Sequence, residues 1–307
     1  MRKFIRYILV FAIPIVVLLA ICEVLLRQQP NDYKIKRAYL DKNSNEVEVL
    51  FLGNSHAYFG ANPEYMSLKS YNAAYASQSL DLDLEILKKY DGNWKNLKYI
   101  VLSMDYISLV MKLEVGPEEW RLKNYNIYWG IRARENFIDY SEVFNGTAAR
   151  KIDRFKKYYL GLGTDVTSND YGWGTSYRSA GQLDLEETGK TSAERHTVPD
   201  YRLWNENRAT MRKLIEFSSR NNVQLVLLGY PGYKSYVSNL NQRQLYRTID
   251  AATLLDRRWL NVHYYNFLTD PSFVAEDFYD GDHLNEKGAK KLTLKLDSVI
   301  KRQTALK

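Results

Sequence analysis

Two short segments of this chain carry residues suited to acyl-group chemistry. Gly53-Asn54-Ser55-His56 puts a hydroxyl just after an apolar run, and Asp280-Gly281-Asp282-His283 puts an imidazole three residues after a carboxylate. A serine hydroxyl is a weak nucleophile until a neighbouring base takes its proton, and an imidazole steadied by a carboxylate is a common base. Singly, each segment has an ordinary reading, because a serine after a strand often caps the next helix and a loop Asp can do the same. A carboxylate immediately beside a histidine points poorly at its ring, which favours Asp280 over Asp282 as the orienting acid. The chain has 4 histidines, so alternatives to His283 are few. His56, beside the serine, reads as a supporting or substrate-contacting group, and His196 and His263 read as structural.

These segments need rigid elements to meet. Val47–Leu52, Tyr99–Met104, Val223–Pro231 and Val262–Phe267 read as buried strands. Helical patterns follow Ser79 as far as Lys89 and recur over Glu206–Arg220, residues 241–257 and 286–302, while Asn62-Pro63-Glu64 is a helix-start signal. Strands alternating with helices predict a three-layer α/β/α sandwich on a parallel sheet, with reactive groups in loops at the carboxyl ends of the strands. Ser55 and His283 both stand at such ends.

In this order and context the two blocks resemble those of the SGNH (GDSL-like) hydrolase family, whose fold is flavodoxin-like. The family's Gly-Asp-Ser is similar to Gly53-Asn54-Ser55, and its Asp-x-x-His to Asp280–His283; together they bracket residues 47 to 302. The Gly-Asn-Ser-His form resembles membrane-tethered envelope-polysaccharide acylation proteins of the DltD and alginate O-acetylation type. The resemblance implies Ser55 as nucleophile, His283 as general base and Asp280 as its orienting acid. It also implies an oxyanion or substrate-contacting set of Asn54, Ser77 and Asp105. Ser77 falls on a family glycine that donates its backbone N–H, and Asp105 falls on a family Asn. An ionised carboxylate there would repel an oxyanion, so Asp105 is protonated, turned elsewhere, or the donor is missing.

The run from Tyr7 to Cys22 is uncharged, and apolar residues continue to Leu26 past Glu23, enough to cross a hydrocarbon core of roughly 30 Å. Arg2, Lys3 and Arg6 precede it, so the positive-inside rule leaves the N-terminus cytoplasmic and the rest periplasmic or extracellular. No small-x-small cleavage site appears before Gln28, and Ile21 is bulky for a lipoprotein signal at Cys22. The expected organisation is an anchor over 1–27 (membrane contact through 7–26), a polar stalk over 28–45, and a hydrolase-like domain over 46–307. An aromatic-rich insertion is expected at about 112–200; its Trp120, Tyr125, Tyr128, Trp129, Tyr171, Trp173 and Tyr177 form a lid, a sugar platform or a small packed subdomain.

The single cysteine excludes internal disulfides, and 26% charged residues exclude wholesale disorder. The net charge of +7 is spread out, without a nucleic-acid-binding motif, so no nucleic-acid partner is expected. No His-x-x-x-His pair exists, and Asp277, Asp280 and Asp282 read as a solvated loop, so neither metal nor cofactor is expected. The expected activity is that of a serine esterase or O-acyltransferase working on acyl esters of an envelope glycan or glycolipid. A membrane-bound O-acyltransferase is the implied partner. The rival reading, prompted by Asp105 and Ser77, is a non-catalytic scaffold of the same fold.

Overall fold

Runs of β-branched and aliphatic residues that can be buried on both faces are what a parallel sheet needs. In the computed structural model, which describes residues 2–305 and so leaves the expected limits at 1 and 307 outside it, these runs do become the sheet. The elements in chain order are α1 (Arg2–Gln28), α2 (Asp32–Asn43), β1 (Val49–Leu52), α3 (Ser55–Gly60), β2 (Ser70–Asn72), α4 (Leu80–Lys89), β3 (Tyr99–Ser103) and α5 (Ala148–Tyr159). After these come α6 (Leu185–His196), α7 (Trp204–Arg220), β4 (Gln224–Gly229), α8 (Lys234–Asn239), α9 (Gln242–Arg258), β5 (Val262–Asn266) and α10 (Glu286–Ala305).

The chain divides into two units. One contains the residues up to Arg37 together with Pro117–Val166, and the other Ala38–Gly116 with Thr167–Lys307. The expected insertion is therefore shared between them. The polar segment expected as a stalk folds instead into α2, where Leu40 is fully buried.

The larger unit is an α/β sandwich on a five-stranded parallel sheet, in the order β2-β1-β3-β4-β5. Val49, Phe51, Val101, Val226 and Leu228 share one face and pack against Leu292, Leu296 and Ile300 of α10. The alternate residues Leu50, Leu52, Ile100, Leu102, Leu225 and Leu227 are equally buried, so helices cover both faces. Pro63 starts only a single turn, Pro63–Tyr65, capped by the Asn62 side chain. Ser79 stands at the α4 cap position, but its hydroxyl donates to Asp81 rather than capping the helix.

In the smaller unit, Arg6–Gln28 is long and apolar enough to cross a membrane. Glu23, the one acid in that stretch, accepts hydrogen bonds from the Ser141 hydroxyl (2.8 Å) and the backbone N–H groups of Glu142 (3.0 Å) and Val143 (2.8 Å). Tyr125, Tyr128 and Trp129 are buried in this unit, and the Tyr128 hydroxyl donates to Glu142. Burial opposes ionisation of Glu142, but the Lys123 and Arg154 charges outweigh it and hold its carboxyl below the usual range.

Candidate catalytic site

Gly53 ends β1 with φ +118°, and a Cβ there would lie 2.3 Å from the Ser103 hydroxyl on the neighbouring strand. Only glycine permits that turn. Its N–H donates to Asp83 at 2.9 Å; burial pushes that carboxyl up to about 7. Asn54 then caps α3 by accepting from the His56 N–H (3.0 Å). Ser55 is thus held as the first residue of α3, at the carboxyl end of β1.

His283 comes from the far end of the chain, in the loop before α10. A bridge between Phe278 and Leu284 closes that loop. Asp280 Oδ1 accepts the N–H groups of Asp282 (3.1 Å) and His283 (2.8 Å), so one carboxylate both shapes the turn and faces the ring. His283 Nδ1 lies 3.0 and 3.1 Å from the two Asp280 oxygens, and His283 Nε2 lies 2.8 Å from Ser55 Oγ. Donation from Nδ1 to Asp280 leaves Nε2 of a neutral ring free to accept the serine proton. Asp282 Oδ1 is 3.4 Å from Nδ1, the more distant carboxylate, in line with the preference for Asp280.

His56 does turn away from the serine, into a buried ion pair with Asp105 (Nδ1 to Oδ2, 2.7 Å). Burial works against the imidazolium, but Asp105 outweighs it and lifts His56 to about 9. Burial likewise opposes ionisation of Asp105, and His56 holds it below its ordinary value; Ser108 and Asn54 Nδ2 (3.0 Å) donate to the same carboxylate. Asp105 is therefore ionised and turned toward His56, while Asn54 serves it and α3. Of the expected oxyanion set, Ser77 adopts the left-handed conformation (φ 60°) that suits the family's glycine. Its loop is pinned to the serine turn by the Tyr75 N–H donating to the Gly53 carbonyl.

Sequence reasoning missed the depth of Asp282. It is buried among three histidines, with Oδ2 3.6 Å from His56 Nε2 and 3.7 Å from His196 Nδ1. Burial opposes its charge, but His283 holds the carboxyl well below the ordinary range. His283 is correspondingly raised well above 6.5, because Asp282 and Asp280 outweigh the effect of its burial. His196 bonds Tyr236, and burial pushes it down to about 4, leaving it neutral. His263, as expected, is a strand residue and bonds Gln224.

Tyr177 stacks between Phe59 (3.7 Å) and Tyr279 (4.1 Å), edge-on to the His283 ring. Both of its faces are covered, so it walls His283 and offers no free platform for a sugar. Trp173 is buried and donates to the Phe59 carbonyl. A cavity of about 20 Å³ behind the site is lined by His56, Asp105, Tyr230 and Asp282, among others. That is room for about one water.

His56, Asp282 and His283 form the one group among the described residues whose donor atoms lie close enough to share a cation. Both nitrogens of His283 are already engaged by Asp280 and Ser55, which leaves two donors, fewer than a zinc site uses.

No family model matches this sequence, and no curated protein matches it. Among solved structures, the chain is similar to a protein proposed to be a platelet activating factor from Streptococcus pneumoniae, with 14% identity, 93% of this chain and 97% of that one covered, and TM-score 0.42. It is also similar to a proposed acylhydrolase from Bacteroides fragilis, with 8% identity, 86% and 95% covered, and TM-score 0.43. A GDSL-like lipase from Bacteroides thetaiotaomicron is a further match, with 9% identity, 88% and 99% covered, and TM-score 0.41. Likenesses this distant fix no activity; the side-chain geometry has to carry any functional reading.

Proposed function

We propose that this chain is a serine acylhydrolase of the SGNH (GDSL-like) type, tethered to a membrane by α1 with its N-terminus cytoplasmic and the remainder periplasmic or extracellular. The observation that carries this reading is the line Ser55 Oγ to His283 Nε2 (2.8 Å) and His283 Nδ1 to Asp280 (3.0 Å), made by residues 228 positions apart. Ser55 attacks an acyl carbonyl as His283 takes its proton, and Asp280 stabilises the imidazolium. The backbone N–H groups of Ser55 and Ser77 receive the developing oxyanion. His283 returns the proton to the leaving alcohol, giving an acyl-enzyme that water or a sugar hydroxyl then resolves. The anchor favours an acyl ester fixed at the envelope, a glycan or glycolipid, and a membrane-bound O-acyltransferase as partner, as in the DltD and alginate O-acetylation groups.

The full chain in detergent is expected to turn over p-nitrophenyl acetate, and Ser55→Ala is expected to reduce kcat/KM at least about 10³-fold. Equal rates for both proteins would refute the assignment. A non-catalytic scaffold of the same fold is the second reading. What favours it is the pair of carboxylates around His283, since Asp282 and Asp280 hold a proton on its ring more tightly than on an ordinary imidazole and so oppose its acting as a base.

A further inference from the structure

A helix lying on a water-soluble protein turns its apolar stripe inward and its charges outward. Helix α5 does the reverse. Its inward positions are Lys151, which donates to the Val143 carbonyl, and Arg154, whose side chain is 10% exposed and pairs with Glu142 at 2.8 Å and Asp165 at 3.0 Å. Ile152, Phe155 and Tyr159 recur at helical spacing along one side and are 54%, 40% and 39% exposed. Leu162, just beyond the helix, is 72% exposed.

The loop before α5 is inverted in the same sense. Asp139 is fully buried, bonded by Arg134 (2.6 Å) and Asn145 (2.9 Å), while Phe137 and Phe144, whose ring centroids are 5.7 Å apart, are 74% and 53% exposed. Both inverted segments are bonded to the last turns of the apolar helix. The Tyr159 hydroxyl donates to the Leu25 carbonyl at 2.9 Å, Arg27 donates to the Tyr140 carbonyl, and Glu23 holds residues 141–143. If α1 spans a bilayer, these bonds hold the exposed rings at the level where it leaves the hydrocarbon. Lys156 borders the stripe, as is usual for helices lying in a headgroup layer rich in anionic lipid.

We propose that the outer face of α5 and the Phe137–Phe144 loop form a second membrane contact, an interfacial platform that beds into the anionic leaflet around the exit of α1. This rests on the anchor reading of α1, and the test separates the two. In a Cys22→Ser background, nitroxide labels are placed at Val16→Cys, Phe144→Cys, Ile152→Cys and Asp153→Cys of the full chain. The chain is then reconstituted in nanodiscs of phosphatidylcholine and phosphatidylglycerol, and collision with oxygen is compared with collision with a water-soluble nickel chelate. Labels at 16, 144 and 152 are expected to favour oxygen several-fold, and the label at 153 to favour nickel. If 144 and 152 behave like 153 while 16 lies in lipid, the platform fails and the anchor stands. Shielding of 144 and 152 from both reagents would indicate a protein partner and overturn the platform. A water-exposed label at 16 would sink the anchor and, with it, a platform placed around the exit of α1.

Discussion

Replacing Asp105 by Asn keeps the shape of the side chain but removes the charge that keeps His56 protonated. With His56 at about 9 in the folded protein against an ordinary 6.5, its protonation contributes roughly 2–3 kcal/mol to folding at pH 7. A raised histidine pKa stabilises fully below 6.5, and the contribution fades as pH climbs through 9. Asp105→Asn lets His56 fall back on its neutral form, so the loss should be about 2–3 kcal/mol at pH 7 and under about 1 kcal/mol at pH 9. His56→Gln has no such escape, since it leaves Asp105 charged, buried and unpaired, and should cost about 3–5 kcal/mol. Urea unfolding of the full chain in detergent micelles, followed by circular dichroism between pH 6 and 9, measures both. A loss for Asp105→Asn that is the same across this range would refute the ion pair as the reason for an acid at this position.

Asp282→Asn removes the leading cause of the raised His283 pKa, so the alkaline rise of kcat/KM, which tracks loss of the His283 proton, should move to lower pH; an unmoved limb in the pH–rate profile would count against it. Gly53→Ala forces a side chain into the Ser103 hydroxyl at a backbone angle only glycine tolerates, and should cost about 3 kcal/mol or more by the same unfolding assay.

Four strands and the serine-histidine-aspartate set were legible in the sequence because each leaves a local mark. An apolar run such as Val226–Leu228 can only be buried, and Asp280 acts on a ring three residues away. Strand β2 left no mark, since Ser70–Asn72 is short and its membership comes from pairing with Val49–Phe51. Helix α2 was obscured because its polar residues are buried, Lys36 among them. The His56–Asp105 pair joins residues 49 positions apart, so neither was readable alone. A histidine after the serine and an acid in place of the family's Asn were, taken together, the available signal. Helix α5 was illegible for a different reason: its apolar stripe looks like a core face until Arg154 and Lys151 are found on the inside.

The most direct test of the site is to treat the full chain with a fluorophosphonate at pH 9 and map the adduct by mass spectrometry. A Ser55 activated by His283 requires one stoichiometric adduct on the Ser55 peptide, absent from Ser55→Ala and His283→Gln. A folded wild-type protein that stays unlabelled, or takes the label at another residue, would contradict the triad.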